Sequence, residues 1–272
     1  MDHLVAATVD APSPVERLVR RDRLIVVLAL AGVTLLAWFY LVRMAEGMRA
    51  AATEADLHAA MGMTAMAVWS TADVVAMFFM WAVMMAGMML PSAAPMILLV
   101  LSTHRRRGGR HARMATAAFA GGYLVAWTGF SLVAAVAQAV LHAAALMSSA
   151  MVSQSTVLAG AIFLAAGAYQ WMPLKHACLT HCRSPLQFLT EEWREGVPGA
   201  FRLGLRHGLF CVGCCWVLMV LLFAAGVMNL LWVAAIAAFV LVEKVVRHGP
   251  LVGRLAGVLL VAWGAYLLTL SA

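Results

Sequence analysis

A run of about 20 apolar residues matches the length a helix needs to cross the hydrocarbon core of a bilayer, and little else in protein structure accommodates it repeatedly. Seven such stretches lie along this chain, at about 24–42, 74–101, 115–141, 152–172, 207–227, 229–243 and 255–271. Composition agrees, with 64% of residues apolar and 11% charged, where a soluble domain carries roughly a quarter charged residues. The fold class that follows is all-α: a polytopic membrane helical bundle of about seven transmembrane helices. The sixth stretch is short, and only a turn around Val227–Asn229 parts it from the fifth, so a re-entrant hairpin there is the alternative count.

Charge placement tests the count and orients the chain. The net charge of +7 would suit nucleic acid in a soluble protein, but in a membrane protein basic excess follows orientation. With the N-terminus cytoplasmic, every Lys and Arg except Arg43 and Arg49 falls on a cytoplasmic segment, and removing one span would spoil that asymmetry. Residues 1–23 read as a polar cytoplasmic tail bearing Arg17, Arg20, Arg21 and Arg23. Residues 24–272 read as a seven-span membrane domain with a cytoplasmic cysteine-bearing loop at 173–206. The run from Leu24 to Val42 lacks a small-residue cleavage site and reads as a retained helix rather than a removed signal. No Asp, Lys or Arg interrupts the spans, and Glu243 closes the sixth. Ion-coupled transporters use intramembrane ionisable groups as relays, so a proton antiporter is disfavoured. Gly204-x-x-x-Gly208 and Gly253-x-x-x-Gly257 offer close helix approach.

All five cysteines fall in one short region, as Cys178-x-x-x-Cys182 and Cys211-Val-Gly-Cys214-Cys215. Pro173 suits a first helical position, and a helix from there stacks Cys178 and Cys182 at i, i+4. Opening the fifth span, His207, Cys211 and Cys214/Cys215 share one helix face by the same spacing. A reducing cytoplasm argues against a structural disulfide. Lys175, Arg183 and Arg206 are close enough in sequence to stabilise thiolates. Thiolates select Cu(I) or Zn(II), and zinc asks for four ligands in a tetrahedron. The expected metal ligands are therefore Cys178, Cys182, Cys211, Cys214 and Cys215, with His207, His176 and His181 beside them. The competing reading is cysteine as a small apolar residue at helix contacts.

The second span is rich in methionine: Met77, Met80, Met84, Met85, Met88, Met89 and Met96. Met77, Met80, Met84 and Met88 keep a helical rhythm that lines one face with thioethers. Packing explains such a face as readily as copper does. Pro91 and Pro95 should kink the same helix and free carbonyls near Gly87 and Pro91. At about 1.5 Å per residue, Met88 and Met89 reach the depth of Cys214 and Cys215, and both join the expected metal set. Outside the membrane, His58, Met61, Met63 and Met66 form another soft-ligand group. Ser184–Arg202 interleaves polar residues with Leu186, Phe188, Leu189, Trp193 and Phe201, the pattern of an interfacial segment broken at Pro198-Gly199.

Four stretches carry a resemblance: Trp81–Ser92, Tyr169–Cys178 continuing through Cys182–Pro185, Gly208–Met219, and Glu243-Lys244. In these the chain resembles a bacterial family of predicted metal-binding integral membrane proteins without an assigned reaction. The resemblance implies metal binding and a bilayer location, and the bacterial inner membrane is the location expected. The function expected is soft-metal handling or transfer, copper before zinc, with the bilayer, the ion and a metallochaperone or second copy as partners, and no nucleic acid. A membrane thiol–disulfide oxidoreductase working through Cys211 and Cys214, or a non-catalytic assembly subunit, are the alternatives. No nucleotide-binding or hydrolase motif is present.

Overall fold

A computed structural model describes residues 14–60, 70–108, 111–144 and 155–270. These form nine helices and no strand: α1 (Pro14–Ala60), α2 (Thr71–Arg106), α3 (Ala112–Ala143), α4 (Thr156–Tyr169), α5 (Pro173–Arg183), α6 (Pro185–Glu192), α7 (Gly196–Ala225), α8 (Leu230–Val245) and α9 (Gly249–Thr269). Five are long and apolar enough to cross a membrane: residues 20–51 of α1, then α2, α3, α7 and α9. Bent by 62° at their junction, α4 and α5 make a sixth if taken together. The seven apolar stretches thus fall on α1, α2, α3, α4, α7, α8 and α9, but α4 and α8 have only 14 and 16 residues. Outer helix faces are apolar: Leu35, Leu36, Leu231 and Leu259 are all largely exposed.

Local sequence accounts for most helix ends. Ser70 and Asp73 form a reciprocal capping box that starts α2. Pro173 and Pro185 stand at the first position of α5 and α6, where the missing N–H has no partner to lose. Gly226, with φ of +98°, ends α7 in a conformation that a side chain resists. Asn229 then caps α8 by accepting from the Leu231 amide at 3.2 Å. The turn expected around Val227–Asn229 is therefore present.

Two boundaries differ from the sequence reading. Residues 43–60, taken as loop, continue α1, because their Ala, Met and Glu content favours helix. Residues 196–206, assigned to the cysteine loop, are the first third of α7. Pro198 does not break the segment, since it falls in the first turn, where a proline costs no hydrogen bond. The thiols Cys211–Cys215 consequently lie midway along α7 rather than at its opening. Pro91 and Pro95 both lie inside α2, which is continuous from Thr71 to Arg106.

Small residues set which helices touch. At Gly204 an added Cβ would overlap the Phe119 carbonyl, at Gly122 the Phe201 carbonyl, and at Gly208 it would stand 2.7 Å from the Ala126 Cβ. This brings α3 and α7 nearly into backbone contact, as the Gly-x-x-x-Gly spacing suggests. Gly167 and Gly257 do the same for α4 and α9. Toward the start of α1, buried Asp22 pairs with Arg105 of α2 and with Arg113 of α3, so these three helix ends lie together.

Candidate metal centre

The close α3–α7 crossing places Tyr123 against Cys211. The Tyr123 hydroxyl is 3.0 Å from the Cys211 Sγ and 3.2 Å from the Met89 carbonyl oxygen. From α8, the Lys244 ammonium donates to the same sulfur at 2.8 Å and to the Ser92 hydroxyl at 3.1 Å. Ser92 in turn donates to the Met89 carbonyl at 2.9 Å. Cys211 is thus the meeting point of α2, α3, α7 and α8. It is fully buried, as are Cys214 and Cys215.

The remaining thiols divide by their partners. Cys214 and Cys215 donate back to the Cys211 carbonyl at 3.1 and 2.9 Å, the local bonding that short polar side chains make inside helices. Cys182, half-buried on α5, interacts side chain to side chain with Cys211 and Cys214. Cys178, also half-buried, rests on Gly213, where an added Cβ would be 2.7 Å from its sulfur. The Tyr169 hydroxyl donates to the Gly213 carbonyl, fixing that turn of α7 against α4. The two thiol faces expected from sequence do meet: α5 lies over α7 with sulfur facing sulfur. All five cysteines are free.

A second buried polar cluster adjoins the first. Lys175 and Glu243 pair at 2.6 Å, both almost wholly buried, and Lys175 also donates to Gln170. Arg183 donates to the backbone carbonyls of Glu243 and Arg247. Consecutive positions on a helix point about 100° apart. Glu243 accordingly faces α5 and α9, while Lys244 faces α2 and α7.

A family model described as PpoB2: Copper chaperone matches residues 78–267, well over half of the chain. The chain belongs to the PpoB2 copper chaperone family. The match contains every residue of both polar clusters. No curated protein and no solved structure matches the chain. The four stretches that carried the sequence resemblance converge here, contributing Met89 and Ser92, Tyr169 to Cys182, Cys211 to Cys215, and Glu243 with Lys244.

Copper is the metal this family handles by its description, and zinc gains no support from it. Among the described residues no group of three or more His, Cys, Asp or Glu is arranged to hold an ion, so the four-ligand tetrahedron that zinc prefers is not laid out. The three histidines have different surroundings. His207 is buried among the Phe119, Tyr123 and Phe188 rings, with its Nδ1 unbonded. His181 stacks flat on Phe210, with ring centroids 4.2 Å apart, and its Nδ1 bonds the Ala177 carbonyl. His176 is half-buried on α5.

Met88 and Met89 are buried at the level of Cys211. What Met89 contributes directly is its backbone carbonyl, the acceptor for Tyr123 and Ser92. Met77 accepts from the Gln138 amide at 3.6 Å. Met80, Met84, Met85 and Met96 are core residues. The soft-ligand group containing Met61, Met63 and Met66 lies outside the described residues, and so does the His58 side chain.

The cations expected beside the thiols are engaged elsewhere. Lys175 serves Glu243, Arg183 serves two carbonyls, and Arg206 pairs with Glu192 at 2.6 Å on the surface. Lys244, taken from sequence as a loop charge, is the ammonium that touches sulfur. Its position at the end of an apolar run reads as a span boundary, which hid its burial. Tyr123 carried no signal at all, because nothing in a lone tyrosine within an apolar helix distinguishes a site residue from core.

Proposed function

We propose that this chain is a seven-span protein of the bacterial inner membrane, N-terminus cytoplasmic, that takes up Cu(I) between α5 and α7 and hands it on by thiolate exchange. The observation that carries the reading is the apposition of the half-buried Cys182 with the fully buried Cys211. It puts one sulfur from each of α5 and α7 at the same ion position. Thiolates favour Cu(I), which accepts two ligands. Cys178, half-buried on the same helix face, is the sulfur that meets copper arriving from or leaving to a partner. In each exchange an incoming thiolate bonds copper as an outgoing copper–sulfur bond breaks. The released sulfur takes the proton that the incoming thiol gave up, and copper stays Cu(I) throughout. The thioether face of α2 backs the centre as a soft, water-excluding wall.

Copper content of the detergent-purified protein tests this. About one ion per chain is expected, the stoichiometry of a single thiolate site, and the Cys211, Cys214 and Cys215→Ser triple variant should lose it. Full retention of copper by that variant would overturn the reading.

A further inference from the structure

Away from the thiols, three arginines gather at the junction of α6 and α7. Arg202 and Arg206 stand at i, i+4 on α7 and so share one face. Arg194, in the link before α7, is brought back to them by a tight reversal. Gly196 takes a φ of +77°, and at Gly199 an added Cβ would lie 2.6 Å from the Arg194 carbonyl oxygen. With Glu192 and Leu203, the three arginines bound a cavity of about 190 Å³. Glu192 is held by Arg206 at 2.6 Å, whereas Arg194 and Arg202 pair with no carboxylate among the described residues. Glu191 accepts from Gln187 at 2.8 Å and Glu195 stands at the N-cap of α7, and neither lines the cavity. The lining therefore carries three positive charges against one negative. Guanidinium groups stay protonated at any physiological pH, so that surplus is fixed. Leu209 follows Arg202 and Arg206 on the same face of α7 and is exposed, as is Phe201 beside Arg202 in the chain. A cationic cavity thus opens directly onto apolar surface.

We propose that this cavity binds the headgroup phosphate of an anionic phospholipid, whose acyl chains lie along Leu209 and the apolar outer face beyond it. This rests on the membrane location in the preceding subsection and not on copper. The planar fork of a guanidinium matches phosphate oxygens two at a time, and basic pockets at the cytoplasmic ends of spans suit such headgroups. A zwitterionic headgroup fits less well. Its ammonium is repelled by the three guanidiniums, and Glu192, the one carboxylate present, is already paired. A free phosphate satisfies the arginines but leaves the apolar surface at Leu209 unused. Held there, the lipid braces the link that joins α6, and the cysteine-bearing α5 before it, to α7.

Native mass spectrometry of the full-length protein, delipidated in detergent, reads bound lipid directly. The protein is titrated with phosphatidylglycerol, with phosphatidylcholine and, separately, with inorganic phosphate, and a detergent melt confirms that each variant is folded. Wild type is expected to bind phosphatidylglycerol about tenfold or more tightly than phosphatidylcholine, one order in Kd, and to show no comparable affinity for inorganic phosphate. Arg194→Gln/Arg202→Gln should lose that preference. Arg20→Gln/Arg21→Gln removes the same charge from exposed positions on α1 and should keep it. Equal binding of the two lipids by wild type would overturn the proposal. So would a folded Arg194→Gln/Arg202→Gln protein that still prefers phosphatidylglycerol, or an equal loss in the α1 variant, which would make the effect one of general surface charge. Inorganic phosphate bound as tightly as the lipid would overturn the lipid assignment in favour of a free anion. Recovery of the expressed protein in the soluble fraction, without detergent, would remove the membrane reading and this proposal together. A membrane-extracted protein that holds copper without lipid preference would remove this proposal alone.

Discussion

Two lysines are buried in this molecule, and their partners differ. Lys175 is closed off: a carboxylate at 2.6 Å and the Gln170 amide oxygen satisfy it. Lys244 has a thiol sulfur at 2.8 Å and a serine hydroxyl at 3.1 Å and, among the described residues, no carboxylate. A buried charge normally comes with its counter-charge. The first lysine obeys that rule and ties α5 to α8. The second meets it only when the sulfur beside it carries the negative charge, the form that the proposed copper site requires. One lysine completes the fold, and the other completes the centre.

Removing one member of the closed pair should have the largest effect. Lys175→Met leaves Glu243 unpaired in the interior, a loss of about 3–5 kcal/mol. The expected result is a sharp fall in folded yield and detergent Tm, with Lys175→Met/Glu243→Gln recovering most of it. A single variant as stable as wild type would break the contrast between the two lysines.

Next in size is the helix crossing that creates the open site. Gly204→Val should force α3 and α7 apart at Phe119, costing roughly 1–3 kcal/mol of stability by overpacking. Copper retention should drop with it, because Tyr123 and Cys211 sit on the separated helices. Metal analysis beside a thermal melt would show whether both fall.

Tyr123→Phe sharpens the comparison on the sulfur side. It deletes a hydroxyl shared between Cys211 and the Met89 carbonyl, a loss of about 1–2 kcal/mol. Stability should fall modestly while copper is still bound, more weakly. An unchanged Cu(I) affinity in a competition titration would show that Cys211 does not need this partner.

The smallest effect belongs to a surface pair. Arg206 and Glu192 meet at 2.6 Å, but the arginine is 54% exposed. Arg206→Ala should change stability by about 0–1 kcal/mol and leave copper content unaltered. A large drop in copper would return Arg206 to the thiol-stabilising role that sequence proximity assigned it.

Some of this was legible before any coordinates. The apolar runs marked the helices because hydrophobic length is a local property. Pro173 marked the start of α5, and i, i+4 spacing paired Cys178 with Cys182 for the same reason. The meeting of the two cysteine groups followed from their spacing as a possibility only, and the α5–α7 packing realised it. The start of α7 was misplaced, since the stretch from Gly196 to Arg206 mixes charge with Gly and Pro and lacks an apolar run. Its helical state comes from packing on α3 through Gly204, which propensity does not register.

The all-α architecture and the clustering of all five cysteines were determined by the sequence alone, through periodicity and spacing within single segments. Which cation reaches the sulfur was decided by tertiary structure. Lys175, Arg183 and Arg206 are nearer to the cysteines along the chain, yet Lys244 is the one in contact. Helix rotation aims adjacent residues apart, turning Glu243 to α5 and Lys244 to α7. That partition depends on how four helices pack around one point, and no window of sequence contains it.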